Sequence, residues 1–469
     1  MENYFTNPNI DSSKTECFMD DAAIMNLAIS GLMIVQESAH LETPKKRLEI
    51  FLSSPELSEN KEKLNAEICQ QYSRDLCAGL ARMANNQTGY PDDMLRLESD
   101  VEVSNQKTSP TNIGLYLTSI IASRDMQIMS PEIVDLSIDK VLTSLENATT
   151  DQGLFYNWYD TSSGDVINSP NGSFISTVDN AWLAAGLVTL KNASPAHAER
   201  SNEILKKMNF QLLYDKDEDL FYGGYNPDNQ EPVKWHYDIF NTEGRIASYV
   251  GISNFGIPHA NYHRLSTCVP AKDQISPELV GQFYKSWGGS MFEMLMPTLL
   301  VPEEELNPNL KDNITKYIQN QIEYGIDNDD GYWGYSPCYS NTIGYCESGI
   351  PGLAIKEGGY GTNHVITPHA ILLSLSFIPK HAVEVLEKLK DTYPIYREGY
   401  GFDDSVDLKT GETARAYLSL NQSMSLISIC NYLSKNGGVR HYFSSELESM
   451  QETVYSLGYH QSELIQQTN

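Results

Sequence analysis

The chain has 469 residues, of which 41% are hydrophobic, 10% aromatic and 20% charged, a composition that predicts a folded globular protein and excludes a disordered chain. Its formal net charge of −29 opposes binding to nucleic acid or to an anionic membrane, because phosphate groups would be repelled. No stretch approaches the roughly 20 apolar residues that span a bilayer. A neutral partner such as an uncharged glycan is compatible with this charge.

The N-terminal sequence MENYFTNPNIDSSKTECFMDD lacks a basic region followed by an apolar run, so no Sec signal peptide is predicted. We therefore expect a cytoplasmic protein, with export by a non-Sec route left open by the acidic C-terminal tail. The seven cysteines are scattered and include no C-x-x-C pair. This pattern favours reduced, buried thiols over a zinc or redox site.

Helical periodicity dominates the chain. The segment from Asp20 to His40 begins with acidic residues and carries apolar residues at three- and four-residue spacing, which predicts an amphipathic helix. Further helices are predicted at 61–84, 112–125, 131–147, 178–191, 197–214, 242–252, 277–300, 309–325, 365–378, 381–392, 413–434 and 443–456. Long polar loops with Gly, Pro and aromatic residues separate them, at 149–177, 215–241, 253–276, 326–364 and 393–412.

Paired helices with long loops between them predict an all-α fold, in which about twelve helices in six hairpins form an (α/α)6 barrel. No repeat of about 34 or 40 residues is visible, which argues against a TPR or HEAT solenoid. The predicted domains are an N-terminal helical extension packed on the barrel (1–105), the catalytic barrel (106–440) and a C-terminal helix or tail (441–469).

Aromatic side chains beside carboxylates recur in the loops. The first cluster begins with WYDTSSGD at Trp158, and later clusters surround Trp235, Trp333 and Phe402. A pyranose ring presents an apolar face that stacks on an aromatic ring, while its hydroxyls and glycosidic oxygen need acidic hydrogen-bonding partners. Repeated clusters of this composition predict a carbohydrate site.

Two patterns could be mistaken for metal sites. His259 and His263 are four residues apart but lack a third ligand, and a structural role is favoured. The acidic run 327–331 resembles a calcium loop but lacks the later bidentate Glu. No metal and no cofactor are predicted.

A series of motifs between Thr108 and Leu433 resembles, in order, the glucoamylase-like family, which includes bacterial endo-β-1,2-glucanases and the transglycosylating domain of cyclic β-1,2-glucan synthases. The motifs are TSPTNIGLYLTSIIASRD, LFYNWYDTSSGD, STVDNAWLAAGL, HYDIFNTEGRIASYVGI, WGGSMFEMLMP, GYGTNHVITPHAILLSL and YLSLNQSMSLISICNYL. The resemblance implies an (α/α)6 barrel with a glucan cleft and a pair of catalytic acids at its wide end.

The resemblance also implies roles for three acids. Glu243, in NTEGRIASY, matches the position expected for the general acid, and Asp404, in YGFDD, that of the base or nucleophile. Asp179, in STVDN, matches a further family acid at a helix start, expected to help bind the sugar. In synthase-type members an acidic residue follows the W-G-x-S motif, whereas this chain has Pro337 there, which favours a hydrolase.

Glycoside chemistry supports the same pair. One carboxylic acid must protonate the leaving oxygen while a second carboxylate activates water or attacks the sugar. Glu243 begins an apolar helical run, where burial would keep it protonated. Asp404 lies beside Asp403, where like charges would perturb its titration. The remaining candidates for substrate binding are Trp158, Tyr159, Asp160, Trp235, His236, Tyr237, Asp238, Arg245, Trp287, Glu293, Tyr332, Trp333, His364, Asp403 and Gln422.

Three functions stay open at this point. The favoured one is a glycoside hydrolase that cleaves a β-glucan, with a β-1,2 linkage preferred. The second is a transglycosylase of the same fold, which would make new or cyclic glucans. The third is a glycan-binding or interaction protein on a catalytically inactive barrel.

Overall fold

A computed structural model describes residues 59–167, 173–269 and 281–456. The helix predicted from Asp20 to His40 lies outside the described residues. The α-helices are α1 Glu59–Met83, α2 Pro110–Asp125, α3 Pro131–Asn147, α4 Thr177–Ala193, α5 Ala198–Lys207, α6 Ile246–Phe255, α7 Ala260–Arg264, α8 Met291–Leu295, α9 Glu303–Leu306, α10 Pro308–Asn328, α11 Pro368–Leu373, α12 Pro379–Thr392, α13 Ser419–Leu433, α14 Arg440–Ser444 and α15 Gln451–Ser456. Short 3-10 helices span Phe210–Leu213, Glu243–Arg245, Met296–Leu299, Pro351–Leu353 and Glu448–Met450.

Short antiparallel strands occupy the connections. They are β1 Met94–Glu98, β2 Val101–Ser104, β3 Lys107–Thr108, β4 Thr150–Asp151, β5 Leu154–Phe155, β6 Tyr159–Asp160, β7 Ile175–Ser176, β8 Tyr214–Asp215, β9 Leu220–Tyr222, β10 Gly224–Asn226, β11 Glu231–Pro232, β12 His236–Tyr237, β13 Cys338–Ser340, β14 Gly344–Cys346, β15 Val365–Ile366, β16 Tyr396–Arg397, β17 Gly401–Phe402, β18 Val406–Asp407 and β19 Ala416–Leu418. The fold is predominantly helical, and these strands make all-α too simple a description.

Six helices contact one another in chain order. Helix α2 packs on α4, α4 on α6, the turn that begins α6 on α8, α8 on α11, α11 on α13, and α13 on α2. Each also contacts at least one helix of a second set, formed by α1, α3, α5, α7, α10 and α12. Residues 110–123 of α2 are all buried, whereas α3 buries only one face, so α2 lies inside and α3 outside. Among the described helices none is long and apolar enough to cross a membrane.

Local signals fix the helix starts. Pro110 occupies the first turn of α2, and the Ser109 hydroxyl accepts a hydrogen bond from the Asn112 backbone N–H at 3.2 Å. Ser130 and Pro131 repeat this arrangement at α3. A Ser cap satisfies a backbone donor that the helix leaves unpaired, and Pro costs nothing at this position.

Glycine permits the crossing of α2 and α4. A Cβ atom on Gly114 would lie 2.4 Å from the Trp182 carbonyl oxygen, and one on Gly186 would lie 2.3 Å from the Gly114 carbonyl oxygen. Both neighbours are backbone atoms, which cannot move without displacing a helix. The crossing therefore depends on glycine at both positions.

Gly186→Ala is expected to destabilise the protein by about 1–3 kcal/mol, because the added methyl group overpacks two buried backbones. Urea unfolding measures the change. Gly256→Ala is the control: its Cβ would meet no atom within 4 Å, and only its left-handed φ of 66° disfavours alanine, so a cost of about 1 kcal/mol is expected. A smaller loss for Gly186→Ala than for Gly256→Ala would contradict this packing.

Three predicted elements differ from the structure. Residues 94–104, placed in a helical extension, form the β1–β2 hairpin, and β1 pairs with β19. That pairing keeps 416–418 extended, so α13 begins at Ser419 rather than at 413. Within the predicted helix 277–300, the described part is helical only from Met291, because Gly289 has a left-handed φ of 84° and Ser290 caps α8.

Candidate active site

Glu243 lies at the start of the 3-10 turn that leads into α6. The preceding Thr242 is extended, with φ −138°, so the chain turns sharply at the carboxylate. The next residue, Gly244, packs against the Tyr237 ring, where a Cβ would lie 2.6 Å from a ring carbon. Glycine at 244 thus lets an aromatic side chain lie directly beside the Glu243 carboxylate.

Three carboxylates interact around this turn. The pKa of Glu243 is raised to about 7, mainly by burial and then by the nearby Glu293 and Asp179 carboxylates, while its own backbone N–H and Arg245 lower it. Among the described residues, no side chain forms a hydrogen bond with the Glu243 carboxylate. Near neutral pH this group can therefore hold and release a proton.

The raised pKa of Glu243 predicts a pH-dependent stability difference. Between pH of about 4.5 and 7 the folded protein binds the proton more tightly than the unfolded chain, so the free energy of unfolding falls as pH rises through this window. Glu243→Gln removes the free-energy cost of ionising this buried carboxyl group. The variant is expected to be more stable than the wild type by up to about 3 kcal/mol at pH 8 and nearly equal to it at pH 4.

Urea unfolding at both pH values measures this difference. The matched control is Glu199→Gln, at an exposed position, which should leave the pH dependence unchanged. A Glu243→Gln difference that is the same at pH 4 and pH 8 would contradict the assigned pKa.

Asp179 lies in the first turn of α4, at its third residue. The helix cap is Ser176, whose hydroxyl accepts from the Asp179 backbone N–H at 3.3 Å. The Asp179 carboxylate accepts a hydrogen bond from the Thr111 hydroxyl at 2.7 Å. With the Asn157 amide oriented to satisfy both of its ends, Asn157 donates to Asp179 at 3.0 Å and accepts from the Trp158 indole N–H at 2.9 Å. Asp179 thus orients the first aromatic cluster.

Asp404 is buried and tightly held. Its carboxylate accepts hydrogen bonds from the Asn421 amide at 2.8 Å and from the Tyr339 backbone N–H at 2.6 Å. Burial raises its pKa to about 7, while the two donors oppose the rise. Donors of this kind stabilise the ionised form of a carboxylate. The pKa values of Asp404 and Glu243 are thus both raised to about 7, and the two acids differ in that donors from Asn421 and Tyr339 hold the Asp404 carboxylate.

A hairpin connects the two acids. Strands β13 and β14 pair Tyr339 with Tyr345 across the hairpin. Tyr339 binds Asp404 through its backbone, and the Tyr345 hydroxyl interacts electrostatically with both Glu243 and Asp404. The two predicted acids therefore both lie near one side chain. Tyr345 itself is 65% exposed, whereas Asp404 is buried.

Four residues of this region were not predicted from the sequence: Tyr339, Tyr345, Tyr360 and Asn421. The Tyr360 hydroxyl interacts electrostatically with Glu293 and Glu243, and its ring packs on Gly288, where a Cβ would lie 2.0 Å away. The SNTIGY turn sequence was an available signal for Tyr345, which is exposed, and the Gly-Gly-Tyr run for Tyr360, which is half-buried. Neither signal predicted that these tyrosines lie near Glu243, which is far away in the sequence.

Two predicted sugar-binding residues have other partners. The Arg245 guanidinium is fully buried, forms a two-point ion pair with Glu303 at 2.7 and 2.8 Å, and donates to three backbone carbonyls. Glu293 forms the capping box of α8, and its carboxylate accepts from the hydroxyls of Ser286 and Ser290 and the backbone N–H groups of Gly288 and Ser290. For both residues the structure indicates a supporting role, because their hydrogen-bonding capacity is used internally.

The predicted aromatic residues divide into two groups. Trp235 and Trp287 are 52% and 45% exposed, and Trp158 is partly buried with the Lys107 ammonium 3.9 Å from its ring centre. Three others are at most 6% exposed and pack in the core, so the structure does not support their predicted sugar contact: Tyr159, Tyr332 and Trp333. Exposure, which sequence clustering did not reveal, separates the groups.

The remaining candidates are distributed around the loops. His236 contacts Asp215 at 2.9 Å and stacks on Tyr222, and Asp238 is exposed. His364 contacts Asp329 at 2.5 Å.

Three further candidates serve local structure. Asp160 accepts from the backbone of its own loop, Asp403 accepts from the Arg415 backbone N–H, and Gln422 donates to the Phe402 carbonyl. Asp403 and Gln422 are both 3% exposed, so the structure does not support direct sugar contact for either. Within the described ranges no group of three His, Cys, Asp or Glu side chains could hold a metal ion.

Comparison with known proteins confirms the resemblance predicted from the motifs. The Glycoamylase family model, described as "Putative glucoamylase", matches residues 235–446, and a model for a family of unknown function (DUF3131) matches 71–251. The cyclic beta-(1,2)-glucan synthase NdvB of Rhizobium meliloti strain 1021 is 28% identical over 262 residues. This match covers 53% of the present chain and 9% of that relative, so the match spans only a small part of the relative's length.

Solved structures share the fold. A crystal structure from Bacteroides caccae, described as a "putative glucoamylase", superposes with a TM-score of 0.69 at 16% identity, covering 83% of this chain and 99% of that one. An endo-beta-1,2-glucanase from Chitinophaga pinensis, in complex with sophorotriose and glucose, gives a TM-score of 0.68 at 17% identity, covering 85% and 99%. The helical architecture described above is therefore the glucoamylase-like fold.

Proposed function

We propose that this protein is a glycoside hydrolase that cleaves a β-glucan by paired-carboxylate catalysis. The observation that carries the proposal is that Glu243 and Asp404 both interact electrostatically with the hydroxyl of Tyr345, a side chain that is 65% exposed. Hydrolysis of a glycosidic bond requires two carboxyl groups that can both reach that bond. Exposed aromatic residues at Trp235 and Trp287 supply faces on which sugar rings can stack.

Glu243 is the general acid in this proposal. It faces Glu293 and Asp179, whose negative charges favour its protonated form. A protonated carboxyl group can donate its proton to the leaving glycosidic oxygen. The pKa of about 7 allows both protonation states near neutral pH.

Asp404 is the base. Its two N–H donors, from Asn421 and Tyr339, favour the carboxylate and fix its direction. A carboxylate so held can remove a proton from water as the water attacks the sugar, or attack the sugar itself. Asp179 is proposed to orient Trp158 through Asn157 and so to help place the substrate.

The cyclic order of contacts from α2 through α13 and back to α2 supports a closed (α/α)6 barrel, with the active site among the loops at one end. The preference for a β-1,2 linkage rests on the endo-beta-1,2-glucanase among the similar structures and on the synthase relative. Identities of 17% and 28% support the fold and not the substrate, so the β-1,2 linkage belongs to the proposed function.

The test is incubation of the purified protein with β-1,2-, β-1,3-, β-1,4- and α-linked glucans, followed by chromatography of the products. Release of short oligosaccharides from the β-1,2-linked glucan, and little from the others, is the expected result. No product from any β-glucan, with binding retained in calorimetry, would instead identify a glycan-binding protein.

A transglycosylase is the second candidate, because the similar curated relative is a cyclic glucan synthase. Both activities need the same acid and differ in whether water or a sugar hydroxyl attacks. New or cyclic glucans among the products would favour transglycosylation. Short linear oligosaccharides alone would favour hydrolysis.

A further inference from the structure

Two cysteines face each other beside the proposed base. Cys338 and Cys346 are directly opposite in the β13–β14 hairpin, and their sulfur atoms are 3.5 Å apart. Cys338 is fully buried and Cys346 is 7% exposed, and with Val365 they form a small cluster separate from the main core. Of the cysteines in the described ranges, only these two have sulfur atoms within hydrogen-bonding distance of each other.

The backbone already has the spacing of a disulfide. Opposite residues of antiparallel strands have Cα atoms about 4.5 or 5.5 Å apart. Disulfides span Cα separations of about 4.4–6.8 Å. The two sulfurs need to approach by little more than 1 Å to bond, which rotation about the side-chain torsions can supply.

We propose that Cys338 and Cys346 form an oxidisable pair that closes to a disulfide when the protein meets a peroxide. Cys346, the more exposed thiol, attacks the peroxide oxygen and becomes a sulfenic acid, with release of one water from hydrogen peroxide. The Cys338 sulfur then attacks the Cys346 sulfur and displaces a second water. Two thiols lose two electrons and two protons in total, and the peroxide accepts both.

The cross-link would act on Asp404 through the same hairpin, and this consequence rests on the proposed function. The residue after Cys338 is Tyr339, whose N–H donates to Asp404, while the Ser405 hydroxyl donates to the Tyr339 carbonyl at 2.7 Å. Closing the hairpin at Cys338 and Cys346 restricts the strand that supplies this donor. The oxidised form should therefore hold its active site to higher temperature.

Peptide mapping tests the bond directly. After hydrogen peroxide treatment, alkylation and trypsin digestion, the peptide 317–356 contains only these two cysteines. We expect it to lack both alkyl groups and two hydrogen atoms, and to regain both alkyl groups if dithiothreitol precedes alkylation. Cys338→Ser should abolish the cross-link, and Cys268→Ser should leave it unchanged. Full alkylation of this peptide after peroxide, or cross-links to other cysteines instead, would overturn the proposal.

The effect on the active site has a separate readout. Residual glucan cleavage is followed during heating of the oxidised and reduced proteins. We expect the half-life of activity to be at least about twofold longer for the oxidised form, and the difference to vanish in Cys338→Ser. Equal half-lives would overturn the link to Asp404. Absence of activity in every form would count against the proposed function and leave the mapped disulfide standing.

Discussion

Glu243→Gln is expected to lower kcat for glucan cleavage by a factor of about 10²–10⁴, because glutamine cannot donate a proton to the leaving oxygen. Glutamine keeps the shape of the side chain, and removing a repelled negative charge should not unfold the protein. Reducing-end release measures the loss. Circular dichroism should show the helical content unchanged.

The matched control is Glu347→Gln. Glu347 also interacts electrostatically with Tyr345 and Tyr360, but its side chain is 52% exposed and it has no assigned role in the mechanism. Activity within about threefold of the wild type is expected. Equal activity of wild type and Glu243→Gln would remove Glu243 from the mechanism.

Arg245→Met is expected to destabilise the protein by about 3–5 kcal/mol, because it leaves the Glu303 carboxylate buried without its cation. Both side chains of this ion pair are fully buried. The Tyr249 hydroxyl continues to donate to Glu303 at 2.7 Å but carries no charge to offset the carboxylate. Urea or thermal unfolding measures the loss.

The exposed pair of Arg264 and Glu218, at 3.2 Å, is the matched control. Arg264→Met should cost about 1 kcal/mol or less, since water screens both partners. Replacing both buried partners, as Arg245→Met with Glu303→Leu, should recover part of the stability, because no charge is then left unpaired. A loss below about 1 kcal/mol for Arg245→Met would show that this pair does not support the α6 turn.

The helical framework could be predicted from sequence because its signals are local. The start of α2 at Ser109 and Pro110, and the amphipathic pattern of α3, depend on residues within one or two turns. The start of α13 depends on pairing between β19 and β1, more than 300 residues away in the chain. Helical periodicity carries no information about such a partner, and the predicted helix was therefore too long.

The distinction between local signals and partners distant in the sequence also applies to the candidate active site. The acids Glu243 and Asp404 were predicted from their motifs, and the structure places both near Tyr345. Burial separates Trp235, which is exposed, from Trp333, which is not, although both lie in similar aromatic clusters. Arg245 was among the residues predicted to bind sugar, whereas its ion pair with Glu303 holds it in the interior. In each case, contacts with residues distant in the sequence determined whether the side chain is available to a sugar.

The central claim is that Glu243 and Asp404 act as acid and base on one linkage. The most direct measurement compares Glu243→Gln and Asp404→Asn on a β-1,2-glucan and on a dinitrophenyl β-glycoside of the same sugar, whose leaving group needs no proton. Glu243→Gln should be slowed by a factor of about 10²–10⁴ on the glucan and regain most of its rate on the activated substrate, while Asp404→Asn should be slow on both. An Asp404→Asn variant with wild-type rates, or a Glu243→Gln variant equally impaired on both substrates, would contradict the assignment.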